Sequence, residues 1–394
     1  MKVLIVSEPG VDGVFRYVES ICHYLIGEGV SVHFAYSDKR SSDRLYKLIA
    51  FVRDNGGMTI NMRTANQPAF SDIGAFAALL KIVRITKPDV IHSHSSKAGA
   101  LARVLPFIGV SAVQLYHPHA YIGMRPKKGR LDFLYNYIES FLGRRAHTIV
   151  CSSGEKAFAL ENLKLPKERV HWIRHGVDNG LFSPISITEK KALRESLGLP
   201  VDIPLLGFLG RSSAQKDPVT LYTAFAQLAK ERKNVALFHV GKGELDPELE
   251  RVVAATGIGH MVFRRPYMTT PVHFYRSVDG FILTSKYEGF SLAALEALSC
   301  NLPMILSDAA GNADLLSQPL SHAWKAAPGD VDGFARCMKE WHTSALNQSP
   351  INHRDIALSY YGNEEQLQAI LRLFRERSKA LNSLSALSLE KGGG

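Results

Sequence analysis

Short apolar runs alternate with stretches of helical periodicity along nearly the whole chain, and this alternation constrains the fold more than any other feature. Runs that read as strands fall at 2–7, 30–35, 59–62, 90–93, 112–116, 148–152 and 170–173, and again at 204–209, 235–240, 260–264, 279–284 and 303–307. A helical stretch follows almost every one. Strands separated by helices pair in parallel, because a crossover helix carries the chain back to the same end of the sheet. The pattern therefore predicts an α/β protein with two doubly wound halves, joined through a linker and first helix at 184–204. A last amphipathic helix is expected over 364–379, with Leu367, Ile370, Leu371 and Phe374 on one side.

A chain of 394 residues suits two such halves. No apolar run approaches the ~20 residues that cross a bilayer. Residues 1–8 are too short for a signal-peptide core and read as the first strand. Cys22, Cys151, Cys300 and Cys337 lack metal-type spacing, so reduced thiols in the cytoplasm are expected. Charge is uneven: residues 1–185 hold 24 Lys and Arg against 15 Asp and Glu, nearly the whole formal net charge of +10. The basic cluster at 125–130, with Arg144 and Arg145 beyond it, points to peripheral contact with an anionic membrane. No aromatic-basic platform argues for nucleic acid.

Three strand ends in the second half carry ligand-type residues. Gly210-Arg-Ser-Ser-Ala-Gln-Lys216 follows the run at 204–209, and Gly241-Lys-Gly243 follows the run at 235–240. Glu288-Gly-Phe-Ser-Leu-Ala-Ala-Leu-Glu296 follows the run at 279–284. Glu288 is expected at a strand end and Glu296 about two turns along a helix. Between them lies a helix N-terminus, whose N–H groups and positive dipole end suit a phosphate. Ligands of open α/β sheets bind outside the carboxyl ends of strands.

In this order, a Gly-Arg…Lys turn, a Gly-x-Gly turn and a Glu-x7-Glu motif resemble the retaining GT-B glycosyltransferases of family 4, which include sucrose synthase and the bacterial phosphatidylinositol mannosyltransferases. The resemblance spans nearly the whole chain and is strongest over 204–310. It implies two Rossmann-like domains facing across a cleft. Residues 1–185 would bind acceptor and 186–358 a nucleotide-sugar. A helix over 359–380 would cross back to the first domain, and a flexible tail would follow over 381–394.

The resemblance also implies roles. Arg211 and Lys216 would meet the diphosphate, Glu288 the donor sugar and Glu296 the ribose hydroxyls. The N–H groups of Phe290, Ser291 and Leu292 would meet phosphate, while Gly13, Gly210, Gly241, Gly243 and Gly289 would allow close approach. In Tyr116-His-Pro-His119-Ala120, His119 matches the family histidine that reaches the sugar, and Ala120 stands where the family has glycine. His94 and Lys97, in His92-Ser-His94-Ser-Ser-Lys97, would shape the acceptor side together with His119. His92 and His94 are expected on opposite sides of the strand end, which offers no shared metal site. Arg174-His-Gly-Val-Asp178 matches the family's hinge turn, and Asp308–Asp314 its Gly-Gly-x-Pro-Glu turn, with Ala310 and Asp314 as departures.

The expected activity is retaining transfer of a sugar, from a UDP-sugar by default, to a glycan or polyprenyl-linked acceptor in bacterial surface polysaccharide synthesis. No cofactor or metal is expected, since Arg211 and Lys216 supply the countercharge, and the enzyme would work in the cytoplasm at the inner membrane face. Two other classes fit the same residues: a GT-B nucleotide-sugar epimerase, which needs no acceptor, and a catalytically silent nucleotide-binding partner.

Overall fold

The computed structural model describes residues 1–65, 68–125, 129, 131–347 and 350–391. Two compact units make up the chain: Met1–Arg174 together with the residues from Gln366 on, and His175–Glu365. No helix of the described residues is long and apolar enough to cross a membrane.

In the first unit, strands β1 (Lys2–Ser7), β2 (Ser31–Tyr36), β3 (Thr59–Asn61), β4 (Val90–His94), β5 (Val113–His117), β6 (His147–Val150) and β7 (Val170–Trp172) alternate with helices. These helices are α1 (Asp12–Gly27), α2 (Asp43–Asp54), α3 (Ser71–Thr86), α4 (Ser96–Val104), α5 (Asp132–Gly143) and α6 (Ser153–Ala157). All strand pairs are parallel, in the order β3-β2-β1-β4-β5-β6-β7. Strand β1 explains the layering. Its Val3 and Ile5 face a core with Val18, Ile21 and Leu48, while Leu4 and Val6 face another with Leu79, Ile82 and Ala102. An unbroken apolar run is what a strand covered on both faces requires.

The second unit has β8 (Leu205–Leu209), β9 (Ala236–Val240), β10 (Val262–Arg265), β11 (Gly280–Leu283), β12 (Met304–Ser307) and β13 (Ala323–Ala326). Its helices are α7 (Ile187–Ser196), α8 (Pro218–Glu231), α9 (Asp246–Thr256), α10 (Pro271–Ser277), α11 (Leu292–Ser299), α12 (Ala310–Leu316), α13 (Val331–Asn347) and α14 (His353–Tyr360). The sheet is again parallel, ordered β10-β9-β8-β11-β12-β13. The winding reverses between β1 and β4 in one unit and between β8 and β11 in the other. Crevices open at such reversals, because the crossovers on either side leave in opposite directions.

The last helix, α15 (Asn363–Lys391), begins in the second unit. Its Leu367, Ile370, Leu371 and Phe374 lie in the first unit's core with Val3, Ile5 and Ile21. Burying each such side chain contributes roughly 2 kcal/mol.

The structure departs from the sequence reading at several points, among them the helix expected from 359, which starts at Asn363. The first unit ends at Arg174 rather than 185, because 175–185 is tied to the second unit. Arg276 donates to the Ser183 carbonyl (3.0 Å), Arg354 to that of Phe182 (3.1 Å), and the Ser299 hydroxyl to Asn179 (2.7 Å). Helix α15 runs on to Lys391, so the tail expected from 381 is helical through that residue. Strand β13 was not expected at all. It is four residues of Ala-Trp-Lys-Ala at a sheet edge, too short and too mixed for a period to show. Pro126, Lys127, Lys128 and Arg130 of the basic cluster lie outside the described residues.

Candidate functional site

The three motif turns of the second unit leave β9, β8 and β11, which are neighbours in the sheet. Their backbones interlock. Gly210 N–H donates to the Val240 carbonyl (3.0 Å), and Ser212 N–H to that of Lys242 (3.3 Å). Gly241 has φ +147°, and a Cβ there would stand 1.9 Å from the Gly210 carbonyl oxygen. At Gly243 a Cβ would come within 2.4 Å of the Ser212 carbonyl oxygen. Real Cβ atoms do not approach so closely, so both positions need glycine for packing alone. On the other side, Lys286 N–H donates to the Gln215 carbonyl (2.8 Å), and the Gln215 amide to that of Tyr287 (3.2 Å).

These contacts bring Lys216 and Glu288 together. The Lys216 ammonium lies 2.5 Å from Glu288 Oε1, which also accepts the Ser285 hydroxyl (2.6 Å). Glu288 is only 5% exposed, so these partners stand in for the water its oxygens have lost. Arg211 is exposed at the tip of the same turn. The Glu288 carbonyl would stand 2.4 Å from a Cβ at Gly311, so that glycine lets α12 approach the Glu288–Gly289 backbone.

Helix α11 starts at Leu292 under the side chain of Ser291, whose hydroxyl accepts Ala294 N–H (3.2 Å). Glu296 stands in its second turn, 6% exposed, with one oxygen accepting the Tyr275 hydroxyl (2.6 Å). Two expectations change here. Strand β11 ends at Leu283, so Glu288 sits in the following loop and not at the strand end. Glu296 is one turn into the helix and not two. Phe290 is buried and packs edge-on to His175 (5.9 Å). Burial pulls the His175 pKa down to about 3, which keeps that hinge imidazole neutral.

In the first unit the reversal between β1 and β4 gathers histidines. His94 ends β4 and His117 ends β5. The His94 and His119 rings are hydrogen-bonded, Nδ1 to Nε2, at 3.1 Å, and His117 stacks on His119 at 3.9 Å. Tyr17 of α1 meets His94, His117 and His119 edge-on. The His119-Ala120 turn is held in an unusual backbone, φ +56° and +110°. Ala120 N–H donates to Glu155 Oε1 (2.7 Å), and Cys151 N–H to Oε2 (2.8 Å). Burial raises the Glu155 pKa against the pull of these bonds.

The expected placement of His92 and His94 is wrong. Residues two apart on a strand share a face, and these rings lie 4.1 Å apart. With His117 they offer nitrogen atoms within 4.8 Å of one another, a set that could hold a metal such as zinc. Lys97 is bonded through its ammonium to both oxygens of Asp72 (2.8 and 3.0 Å), which directs that cation to α3. Gly13 lies inside the first turn of α1. Gly10, just before it, is closely packed: a Cβ there would meet the Arg40 carbonyl at 2.8 Å. Sequence reasoning also passed over Tyr17, Glu155 and Tyr275. Each acts on a motif residue distant in the chain, and no local pattern marks it.

Comparison with known proteins fits this arrangement. A family model described as "Glycosyltransferase Family 4" matches residues 11–180, and one described as "Glycosyl transferases group 1" matches residues 189–354. The chain carries a family 4 glycosyltransferase domain followed by a group 1 glycosyltransferase domain. This glycosyltransferase is 24% identical over 277 residues to the UDP-Gal:alpha-D-GlcNAc-diphosphoundecaprenol alpha-1,3-galactosyltransferase of Escherichia coli, covering 69% of this chain and 71% of that one. It is 34% identical over 170 residues to a D-inositol 3-phosphate glycosyltransferase of Xylanimonas cellulosilytica, 41% of each chain. Among solved structures, Anabaena HepE in complex with UDP-glucose superposes with a TM-score of 0.78 at 20% identity, covering 95% of this glycosyltransferase and 100% of HepE. That likeness establishes the shared GT-B fold of two Rossmann-like domains.

Proposed function

We propose that this glycosyltransferase moves a sugar from a UDP-sugar to a polyprenyl-linked saccharide, with retention at the anomeric carbon and without a metal, at the cytoplasmic face of the membrane in surface polysaccharide assembly. The observation that carries the donor half is the Lys216–Glu288 pair, which joins two motif turns at the reversal of the second sheet. An ammonium has three N–H donors. Glu288 takes one and leaves two toward the phosphates, where Arg211 and the N-terminus of α11 add positive potential. A diphosphate gains charge as its bond to the sugar breaks, so these groups bind the transition state more tightly than the ground state. Glu296, oriented by Tyr275, would accept the ribose hydroxyls.

In the transfer, the bond from the anomeric carbon to the phosphate oxygen breaks as the acceptor oxygen bonds to the same face of that carbon. The acceptor proton passes to the departing phosphate. His119, its ring held by His94, would orient the sugar. The name of the Escherichia coli relative supports the UDP-sugar and the lipid-linked acceptor, and the HepE complex supports UDP.

Thermal unfolding with UDP, GDP, ADP and their sugars tests the donor. UDP should raise the melting temperature by mass action, an effect of about 2.7 kcal/mol at a hundredfold excess over Kd. Glu296→Ala should abolish the shift. If no nucleotide shifts the protein, the donor reading is wrong. Transfer should survive a chelator, and an inverted anomeric signal in the product would refute retention.

A further inference from the structure

The outer face of α5 is apolar where a surface helix should be polar. Phe133 is 83% exposed and Tyr137 62%, and Leu134, Ile138 and Phe141 are exposed beside them. Their spacing of one, three and four residues puts them on one side of the helix. The stripe continues onto the neighbouring turn Leu105–Ile108, where Phe107 stacks on Phe141 with centroids 5.5 Å apart. Scattered exposed apolar residues are ordinary, but a contiguous stripe marks a contact surface.

The charges around it select the partner. Helix α5 has two acids, and both are taken up inside the unit. Asp132 is buried and paired with Arg125 (2.8 Å), and Glu139 accepts from Arg103 (2.8 Å) and from the Tyr116 hydroxyl (3.1 Å). The cations stay outside: Arg144 and Arg145 are exposed at the C-terminal end, and the Arg145 guanidinium lies 4.5 Å over the Phe107 ring. An apolar stripe with aromatic residues, cations at its C-terminal end and no outward acid on the helix has the chemistry of a helix lying in the headgroup region of an anionic bilayer. It fits a second copy poorly. An antiparallel twofold pairing of α5 would set Arg144 and Arg145 against the partner helix's N-terminal end, where Asp132 is already taken by Arg125 and offers them no counter-charge.

We propose that α5 and the Leu105–Ile108 turn seat the first unit on an anionic lipid surface. The inference rests on the lipid-linked acceptor reading and names the face that meets the lipid. Arg144 and Arg145 bring the surface to the headgroups, and Phe133, Tyr137 and Phe141 enter between them.

The test is co-sedimentation of the full chain with vesicles of phosphatidylcholine alone and with added phosphatidylglycerol. Binding should rise at least tenfold with the anionic lipid. The doubly substituted Phe133→Asp, Tyr137→Asp protein should lose at least tenfold of it, and Arg144→Glu with Arg145→Glu should remove the preference for anionic lipid. These side chains are exposed, so melting temperature and the UDP shift should stay unchanged, which separates this inference from the donor reading. Equal binding of wild type and the Asp variant would overturn the proposal. So would a wild-type dimer in sedimentation velocity that becomes monomeric in the Asp variant, since the stripe would then be a contact between copies. A failure of UDP binding with vesicle binding intact would sink the donor reading and leave this surface standing.

Discussion

Replacing His92 with phenylalanine should stabilise this protein, and increasingly so as the pH falls. His92 is fully buried in the middle of β4, 4.1 Å from the His94 ring and 5.3 Å from Phe374 by ring centroids. Among the described residues, neither of its ring nitrogens has a hydrogen-bond partner. A buried polar group left unpaired costs about 1–3 kcal/mol, so at pH 7.5 the variant should match or exceed the wild type. Burial also pulls the His92 pKa down to about 3. The unfolded value is near 6.5, so the folded state resists protonation. That part of the stability is complete above about pH 6.5 and is lost as the pH falls toward 3. Phenylalanine takes up no proton. Between pH 7.5 and 5 the gap should therefore widen by about 2 kcal/mol, from 1.36 kcal/mol per unit over roughly 1.5 units. Urea denaturation at the two pH values measures it, with His92→Leu as a smaller control for overpacking. The other buried histidines are common to both proteins and cancel. A constant gap would refute the titration argument. A variant less stable than wild type only until both are stripped with a chelator would show that His92 bonds a metal together with His94 and His117.

Further outcomes follow from the site. Lys216→Met should lower kcat/KM on the order of 10²–10³-fold, as loss of one transition-state donor does; steady-state transfer assays would show it, and unchanged turnover would exclude Lys216 from the chemistry. Ala120→Gly should raise stability by about 1 kcal/mol, because φ +110° suits glycine and strains alanine; calorimetry would show a higher melting temperature. Gly241→Ala should cost about 3 kcal/mol or more, since its Cβ would sit 1.9 Å from a carbonyl oxygen, and any folded protein should give no UDP shift. Tyr275→Phe removes the bond to Glu296 and should weaken UDP binding about fivefold, roughly 1 kcal/mol, by titration calorimetry.

The sheets were legible because their strands are covered on both faces, and an unbroken run such as Val3–Val6 has few other uses. The edge strand β13, half exposed and four residues long, lacks that signature. The order of the three motif turns was legible too, but not what ties them together. Gly241 reads as any turn glycine until the Gly210 carbonyl is seen beneath it. Partners such as Tyr275 for Glu296 and Glu155 for Ala120 N–H come from other elements, and their spacing carries no period. The His92–His94 error was of another kind: strand geometry alone puts i and i+2 on one face. The α5 stripe escaped because a helix read for its buried side says nothing of an apolar residue on the other.

Helix α15 makes the first unit discontinuous in the chain, and this bears on the order of folding during synthesis. Domains commonly fold from the N-terminus as they leave the ribosome. Here residues 1–174 are made before the second unit, yet their core lacks Leu367, Ile370, Leu371 and Phe374 until that whole unit has been synthesised. The second unit, one uninterrupted segment, can complete itself earlier. A chain arrested before residue 366 would thus present a finished second unit beside an open apolar core in the first. That is the kind of surface chaperones and proteases recognise, so the first unit depends on α15 to close its core.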